Sequence, residues 1–97
     1  MSNGKYENLE QLIVSRFHED YSLYGDSLPA LVRSYAEKVS ARDRVATISD
    51  IERFRRDHRR DIDAAFDVAY GRYCDPVLWG HTAASFLDEL KRLLIGA

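Results

Sequence analysis

Apolar residues recur at intervals of three and four along five segments of the chain, a spacing that predicts α-helices. No alternating strand pattern of useful length occurs, and the links between segments are short. The sequence therefore predicts an all-α fold, a single compact bundle of about five helices. One domain is expected over residues 1–97, with residues 1–6 as a ragged N-terminus. The predicted helices run from Glu7 to Phe17, from Ser27 to Val39, from Ser40, from a cap at Asp61 to Tyr73, and from a cap at Thr82 to Gly96.

Capping residues mark several of the predicted helix starts. Asp26 and Ser27 both suit the start of the second helix, where Pro29 fits the first turn. Ser40, with Asp43 three positions later, resembles a capping box at the start of the third helix. These polar residues predict where each helix begins more sharply than the apolar spacing does.

Two regions give a less regular pattern. The third helix has an apolar stripe spaced by three throughout, which drifts around the helix by about 60° per step and so predicts contact with more than one neighbour. Residues 17–26 are predicted to form a turn packed by Tyr21 and Tyr24, and residues 74–81 a loop held by Trp79. The stripe consists of Val45, Ile48, Ile51 and Phe54.

Composition and charge point towards a protein partner. The chain is 45% hydrophobic and has 16 acidic and 14 basic residues, for a net charge of −2. Such a balance differs from the strongly basic character of proteins that coat nucleic acid. Cys74 is the single cysteine, which excludes an internal disulfide and a cysteine-based zinc site. We find no signal-peptide pattern and no apolar run of about 20 residues, so we expect a cytoplasmic protein without a membrane partner.

The strongest local charge run contains Arg53, Arg55, Arg56, Arg59 and Arg60. Five acids interleave with it between Asp50 and Asp63, so the charges cancel and the segment is typical of a solvated helix face. The alternative interpretation is a small helical DNA-binding or antitoxin-type regulator that uses the Arg53–Arg60 segment.

Candidate catalytic groups are weak. His18, Glu19 and Asp20 place a base beside two acids, but no activated nucleophile accompanies them. Asp63 and Asp67, at positions i and i+4, could perform acid–base chemistry or form a solvated acidic face. Their mutual repulsion would be relieved by a partner that supplies cations. The three histidines are too far apart for a metal motif, so we predict no enzyme, no metal and no cofactor.

Short motifs occur along most of the chain, from Tyr6 to Leu94. They are Phe17-His18-Glu19-Asp20-Tyr21, Tyr70-Gly71-Arg72-Tyr73, Asp75-Pro76, Gly80-His81-Thr82 and Phe86-Leu87. In this order they resemble the small immunity proteins of bacterial contact-dependent growth-inhibition systems. The sequence has Glu19 where that family is expected to show Gln, and Phe86 where Trp is more frequent.

The resemblance implies a monomeric antidote that binds the C-terminal toxin domain of a large exported effector and blocks its active site. Many such toxins are nucleases, and an inhibitor of a nuclease commonly presents acidic groups to the basic substrate groove. The signature residues Phe17, His18 and Tyr21 are expected to be structural, as Asp20 is if it serves as a cap. The candidate toxin-binding residues are Glu19, Asp20, Asp26, Asp63, Asp67 and Asp75.

Overall fold

Five α-helices account for most of the residues described by a computed structural model of the chain, which are 6–17 and 27–96. These residues contain no β-strand, and the all-α prediction is confirmed. A short 3₁₀ helix precedes the last α-helix. The elements are α1 (Glu7–Arg16), α2 (Leu28–Lys38), α3 (Ala41–Asp57), α4 (Ile62–Tyr70), the 3₁₀ helix (Pro76–Trp79) and α5 (Ala83–Gly96).

Side-chain caps define the starts of α2, α3 and α5. The hydroxyl oxygens of Ser27, Ser40 and Thr82 each accept a hydrogen bond from the backbone N–H three residues later, at 3.3, 3.1 and 3.1 Å. Each bond satisfies one of the N–H groups that a helix start leaves without an intrahelical partner. The predicted starts at these three residues are confirmed, whereas Asp26 lies outside the described residues.

The region after α4 is more structured than the sequence predicts. The helix ends at Tyr70 and not at Tyr73, because residues 71–73 form a turn in which Cys74 N–H donates to the Tyr70 carbonyl. The predicted loop then contains the 3₁₀ helix and reverses direction at Gly80, whose φ of 78° favours glycine. Trp79 packs edge-on against Phe17 at 5.7 Å between ring centroids, so this loop is held by Trp79 as predicted.

The core surrounds α5, which packs against α2, α3 and α4. Four of its side chains are completely buried, at spacings of one, three and four. Phe17 at the end of α1 closes this core, with its ring edge-on to that of Phe86 at 5.4 Å. The buried residues of α5 are Phe86, Leu87, Leu90 and Leu94.

The inward face of α3 differs from the predicted stripe. Val45 is 61% exposed, so this end of the predicted apolar stripe is not buried, and Ile48 is only partly buried. Side chains three residues apart shift around a helix by about 60° at each step, so such a stripe leaves the side that faces the core within two helical turns. The face that stays buried combines spacings of three and four and includes two polar residues. It consists of Thr47, Asp50, Ile51 and Phe54. As predicted, α3 contacts two neighbours, α1 and α5.

Asp50 joins α3 to the start of α1. Its buried carboxylate accepts hydrogen bonds from the N–H groups of Asn8 and Leu9, at 2.8 and 3.2 Å, and from Arg53 at 2.5 Å. Tyr6, at the N-cap position of α1, provides no side-chain cap. A carboxylate at a helix N-terminus also interacts favourably with the helix dipole. The interpretation of Asp50 as one of several solvated charges is therefore wrong.

Candidate functional site

The helix α4 has an apolar face that no described residue covers. Phe66 and Tyr70 bury one side of it, while Ala64, Val68 and Ala69 are exposed on the other. Val68 is 88% exposed, the largest value among the exposed large hydrophobic residues described. A helix that is apolar around most of its circumference is usually buried. The exposed side of α4 is therefore a candidate interaction surface.

A cleft of about 310 Å³ lies between α4, the 3₁₀ helix and the start of α5. Its charged lining residues are Asp63, Asp67 and Asp75, and no Lys, Arg or His lines it among the residues described. We call this the acidic cleft. It brings together three of the six residues predicted to bind a toxin.

The three aspartates of the acidic cleft have different local roles. Asp63 Oδ1 accepts from the N–H of Ala83 at 3.1 Å, at the start of α5. Asp75 Oδ1 accepts from the N–H of Val77 at 3.1 Å, at the start of the 3₁₀ helix. Asp67 has no side-chain hydrogen bond or ion pair with any described residue. Asp67 is thus the aspartate whose replacement disturbs the fold least.

Apolar side chains border the acidic cleft. Val77, which lines it, is 73% exposed, and its neighbour Leu78 is 81% exposed. Cys74 also lines the cleft, but burial and the charge of Asp75 raise the pKa of its thiol to about 12. The thiol therefore stays protonated near neutral pH and is a poor nucleophile. This surface is suited to contact and not to covalent chemistry.

A second cleft, of about 530 Å³, lies along the other side of α4. Aromatic residues from three different segments line it, with Phe54 edge-on to Tyr6 at 5.2 Å between ring centroids and 4.7 Å from the ring of His58. We call this the aromatic cleft. Its lining residues are Tyr6, Phe54, His58 and Tyr70, the acids Glu10 and Asp61, and Ala64, Ala65, Val68 and Ala69 of α4. Tyr6, which was predicted to belong to the ragged N-terminus of residues 1–6, packs against Phe54.

Asp61 occupies the N-cap position of α4 without forming the predicted cap. Its side chain accepts no bond from the first turn of the helix. Instead, Asp61 Oδ1 lies 3.9 Å from His58 Nδ1. This pairing could not be predicted from the sequence, because an aspartate that caps a helix and one that pairs with a histidine have the same local sequence pattern.

The signature segment is only partly described. Phe17 is 4% exposed and packs on Trp79 and Phe86, a purely structural environment. The other predicted residues of this region, which are His18, Glu19, Asp20, Tyr21 and Asp26, lie outside the described residues.

Three arginines of the run in α3 form ion pairs with acidic residues of the same chain. Arg53 pairs with Asp50, Arg55 lies 3.2 Å from Asp88 on α5, and Arg56 lies 3.9 Å from Asp57. Arg59 and Arg60 are exposed in the link between α3 and α4. The segment therefore does not form a continuous basic face of the kind that contacts phosphates.

One histidine–serine pair has a structural explanation. His81 Nδ1 lies 3.0 Å from Ser85 Oγ. However, Thr82 and Ser85 form a reciprocal capping box, since each hydroxyl accepts from the backbone N–H of the other, at 3.0 and 3.1 Å. The serine thus serves to start α5. Within the described part of the chain, no group of three His, Cys, Asp or Glu side chains could hold a metal ion.

Comparison with known proteins gives one match. A family model described as CdiI immunity protein matches residues 5–94. Searches of curated proteins and of solved structures found no match. In the described residues, no helix is long and apolar enough to cross a bilayer.

Proposed function

The chain belongs to the CdiI immunity protein family, and from this premise we propose that it neutralises a cognate toxin domain by binding to it. The toxin domain is the C-terminal part of a contact-dependent growth-inhibition effector, and a nuclease. The immunity protein acts as a monomer in the cytoplasm and inhibits by occupying the toxin, without catalysis or a cofactor.

The observation that carries this proposal is the acidic cleft beside the exposed face of α4. A nuclease must attract a phosphate backbone and so presents Lys and Arg side chains in its substrate groove. Asp63, Asp67 and Asp75 offer the opposite charge from a single cleft that no basic residue lines within the described ranges. Charge complementarity of this kind speeds association and selects the partner.

The neighbouring apolar residues supply the other requirement of a tight interface. Val68, Val77 and Leu78 are each more than 70% exposed in the free protein. Binding energy concentrates on side chains that become fully buried at the centre of an interface, surrounded by polar groups. An apolar centre next to carboxylates matches this pattern.

Repulsion between Asp63 and Asp67 adds a further argument. Like charges at i and i+4 destabilise an isolated helix by about 0.2–0.5 kcal/mol. Toxin cations that bind between them would remove this cost, so the free protein is slightly destabilised at the site where it gains most on binding. Glu19, Asp20 and Asp26 remain predicted contacts of the same kind.

Asp67→Lys tests the proposal, with Glu37→Lys as its matched control. Both residues are exposed near the C-terminal end of a helix, and each change replaces one negative charge with one positive charge. Lysine is favourable at this end of a helix, so neither variant should unfold. We expect Asp67→Lys to raise the Kd for the toxin domain encoded beside this chain at least about tenfold, and Glu37→Lys to leave it unchanged.

Calorimetry gives the two affinities, and circular dichroism confirms that both variants are folded. Equal affinity for both variants would remove the acidic cleft from the interface. Tight binding of duplex DNA with a steep salt dependence, together with no binding of the toxin, would instead support a DNA-binding regulator.

A further inference from the structure

The aromatic cleft has the chemistry of a receptor for a guanidinium group. Its walls are the rings of Tyr6, Phe54 and Tyr70, with Glu10 and Asp61 as its carboxylates. Guanidinium ions stack on aromatic rings and pair with carboxylates, so a site that offers both groups suits arginine better than any other side chain. No Lys or Arg contributes to this lining within the described ranges.

Two acceptors in the aromatic cleft have no partner within the described part of the chain. Tyr70 is only 3% exposed, yet its hydroxyl makes no hydrogen bond to a described residue. The Glu10 side chain likewise has neither a hydrogen bond nor an ion pair there. The two groups are close neighbours, since the charge of Glu10, after burial itself, contributes to raising the pKa of Tyr70. Tyr70 lines the cleft and its hydroxyl is not a fully buried polar atom, so that hydroxyl is open to a hydrogen bond with a group that enters the cleft.

The molecule already contains one contact of the proposed type. The guanidinium carbon of Arg53 lies 5.9 Å from the centre of the Tyr6 ring. The charge of that arginine is balanced by Asp50 at 2.5 Å. The fold thus already holds a guanidinium beside one ring of this cleft and next to a carboxylate.

Resting on the proposed function, we infer that the aromatic cleft binds an arginine side chain of the toxin domain. The guanidinium donates hydrogen bonds to Glu10, Asp61 and the Tyr70 hydroxyl while it lies against the aromatic wall. The helix α4 then separates two subsites, the acidic cleft on one side and an arginine pocket on the other, and its exposed Val68 belongs to the arginine pocket.

The first experiment needs no toxin. The free protein is titrated with N-acetyl-arginine methylamide, and the ring signals of Tyr6, His58 and Tyr70 are followed by NMR. We expect saturable shifts with a Kd in the millimolar range, as is typical of one small contact. The uncharged isostere N-acetyl-citrulline methylamide should bind at least about tenfold more weakly. No saturation with the arginine probe, or equal binding of citrulline, would overturn the inference.

Two variants localise the probe. Glu10→Gln removes one charge without changing shape and should weaken probe binding about fivefold or more, whereas Glu7→Gln, an exposed acid of the same helix outside this cleft, should not. Ala69→Leu fills the cleft from the exposed face of α4, and Ala41→Leu is its control on an exposed site of α3. Unchanged binding to Glu10→Gln and Ala69→Leu would place the probe elsewhere and refute the site.

The same variants are then tested against the toxin domain. Ala69→Leu should raise its Kd about tenfold and Glu10→Gln about fivefold, with both controls unchanged. If wild-type protein binds the toxin and these variants bind it equally well, the arginine pocket is refuted and the proposed function stands. If wild-type protein does not bind the toxin, the proposed function fails, and with it the assignment of the occupant.

Discussion

Two aspartates on different helices show two different uses of the same side chain. Asp50, between α1 and α3, is 3% exposed and accepts three hydrogen bonds. Asp67, on α4, is exposed, and its side chain bonds to no described residue. Around Asp50 polar groups are buried and satisfied, whereas around Asp67 apolar groups are exposed. The first environment stabilises the fold, and the second is ready to receive a partner.

The largest effect should come from Asp50→Ala. The change leaves the N–H groups of Asn8 and Leu9 without their acceptor and removes the partner of Arg53, which we expect to cost about 3 kcal/mol of unfolding free energy. The matched change Asp67→Ala should cost less than about 0.5 kcal/mol. Urea denaturation of both variants measures the difference. Similar losses of unfolding free energy for the two variants would show that the two aspartates do not differ in their contribution to stability.

Alkaline pH should destabilise the protein through Cys74, which lines the acidic cleft. Its pKa rises from about 9 to about 12 on folding, so the native state disfavours the thiolate. Stability is therefore intact below pH 9 and falls above it, by roughly 1.4 kcal/mol per pH unit from this group. Urea denaturation of the wild type should show a total loss of about 1.4 kcal/mol between pH 8 and pH 10, most of it above pH 9. A slope of the same size in Cys74→Ala would contradict the assignment.

Tyr35→Phe tests a second buried hydrogen-bond network, which also contacts the start of α1. The Tyr35 hydroxyl lies 2.9 Å from Thr47 Oγ1 and donates to the Asn8 carbonyl at 3.3 Å. Its loss should cost about 1 kcal/mol, the usual net value of a buried hydrogen bond. Tyr73→Phe, at a half-buried hydroxyl with no hydrogen bond to a described residue, is the control for thermal unfolding. A control that costs as much would show that this network adds little.

Val68→Ser should have the smallest effect on the free protein. Val68 is 88% exposed, so the free energy of unfolding, followed by thermal denaturation, should change by less than about 0.5 kcal/mol. Toxin affinity, by contrast, should fall about five- to tenfold if Val68 is buried in the complex. Val45→Ser changes a valine that is 61% exposed on α3, outside both clefts, and should leave affinity intact. Equal affinities would exclude the face of α4 from the interface.

The sequence predicted the local features of the fold well. Ser27, Ser40 and Thr82 cap helices through the backbone three residues on, and such short-range signals can be found in one chain. The role of Asp50 could not be predicted in this way, because the N–H groups from which it accepts hydrogen bonds are 41 and 42 residues away in the sequence. For Val45, the apolar spacing predicted the helix correctly, but this residue lies on the exposed side of that helix.

The candidate site shows the same division. The i, i+4 spacing of Asp63 and Asp67 placed both on one side of α4 from the sequence alone. Asp75 joins them only because the turn after Tyr70 brings the 3₁₀ helix alongside. The aromatic cleft was missed, since Tyr6, His58 and Tyr70 come from three separate segments that only the packing of α1, α3 and α4 brings together.

Hydrogen–deuterium exchange of the protein with and without its toxin domain tests the central claim most directly, since it maps the interface without any substitution. We expect slower amide exchange on binding along residues 62–79, which include α4 and the 3₁₀ helix, and unchanged exchange along α2. Slower exchange in α2 with no change along residues 62–79 would contradict it.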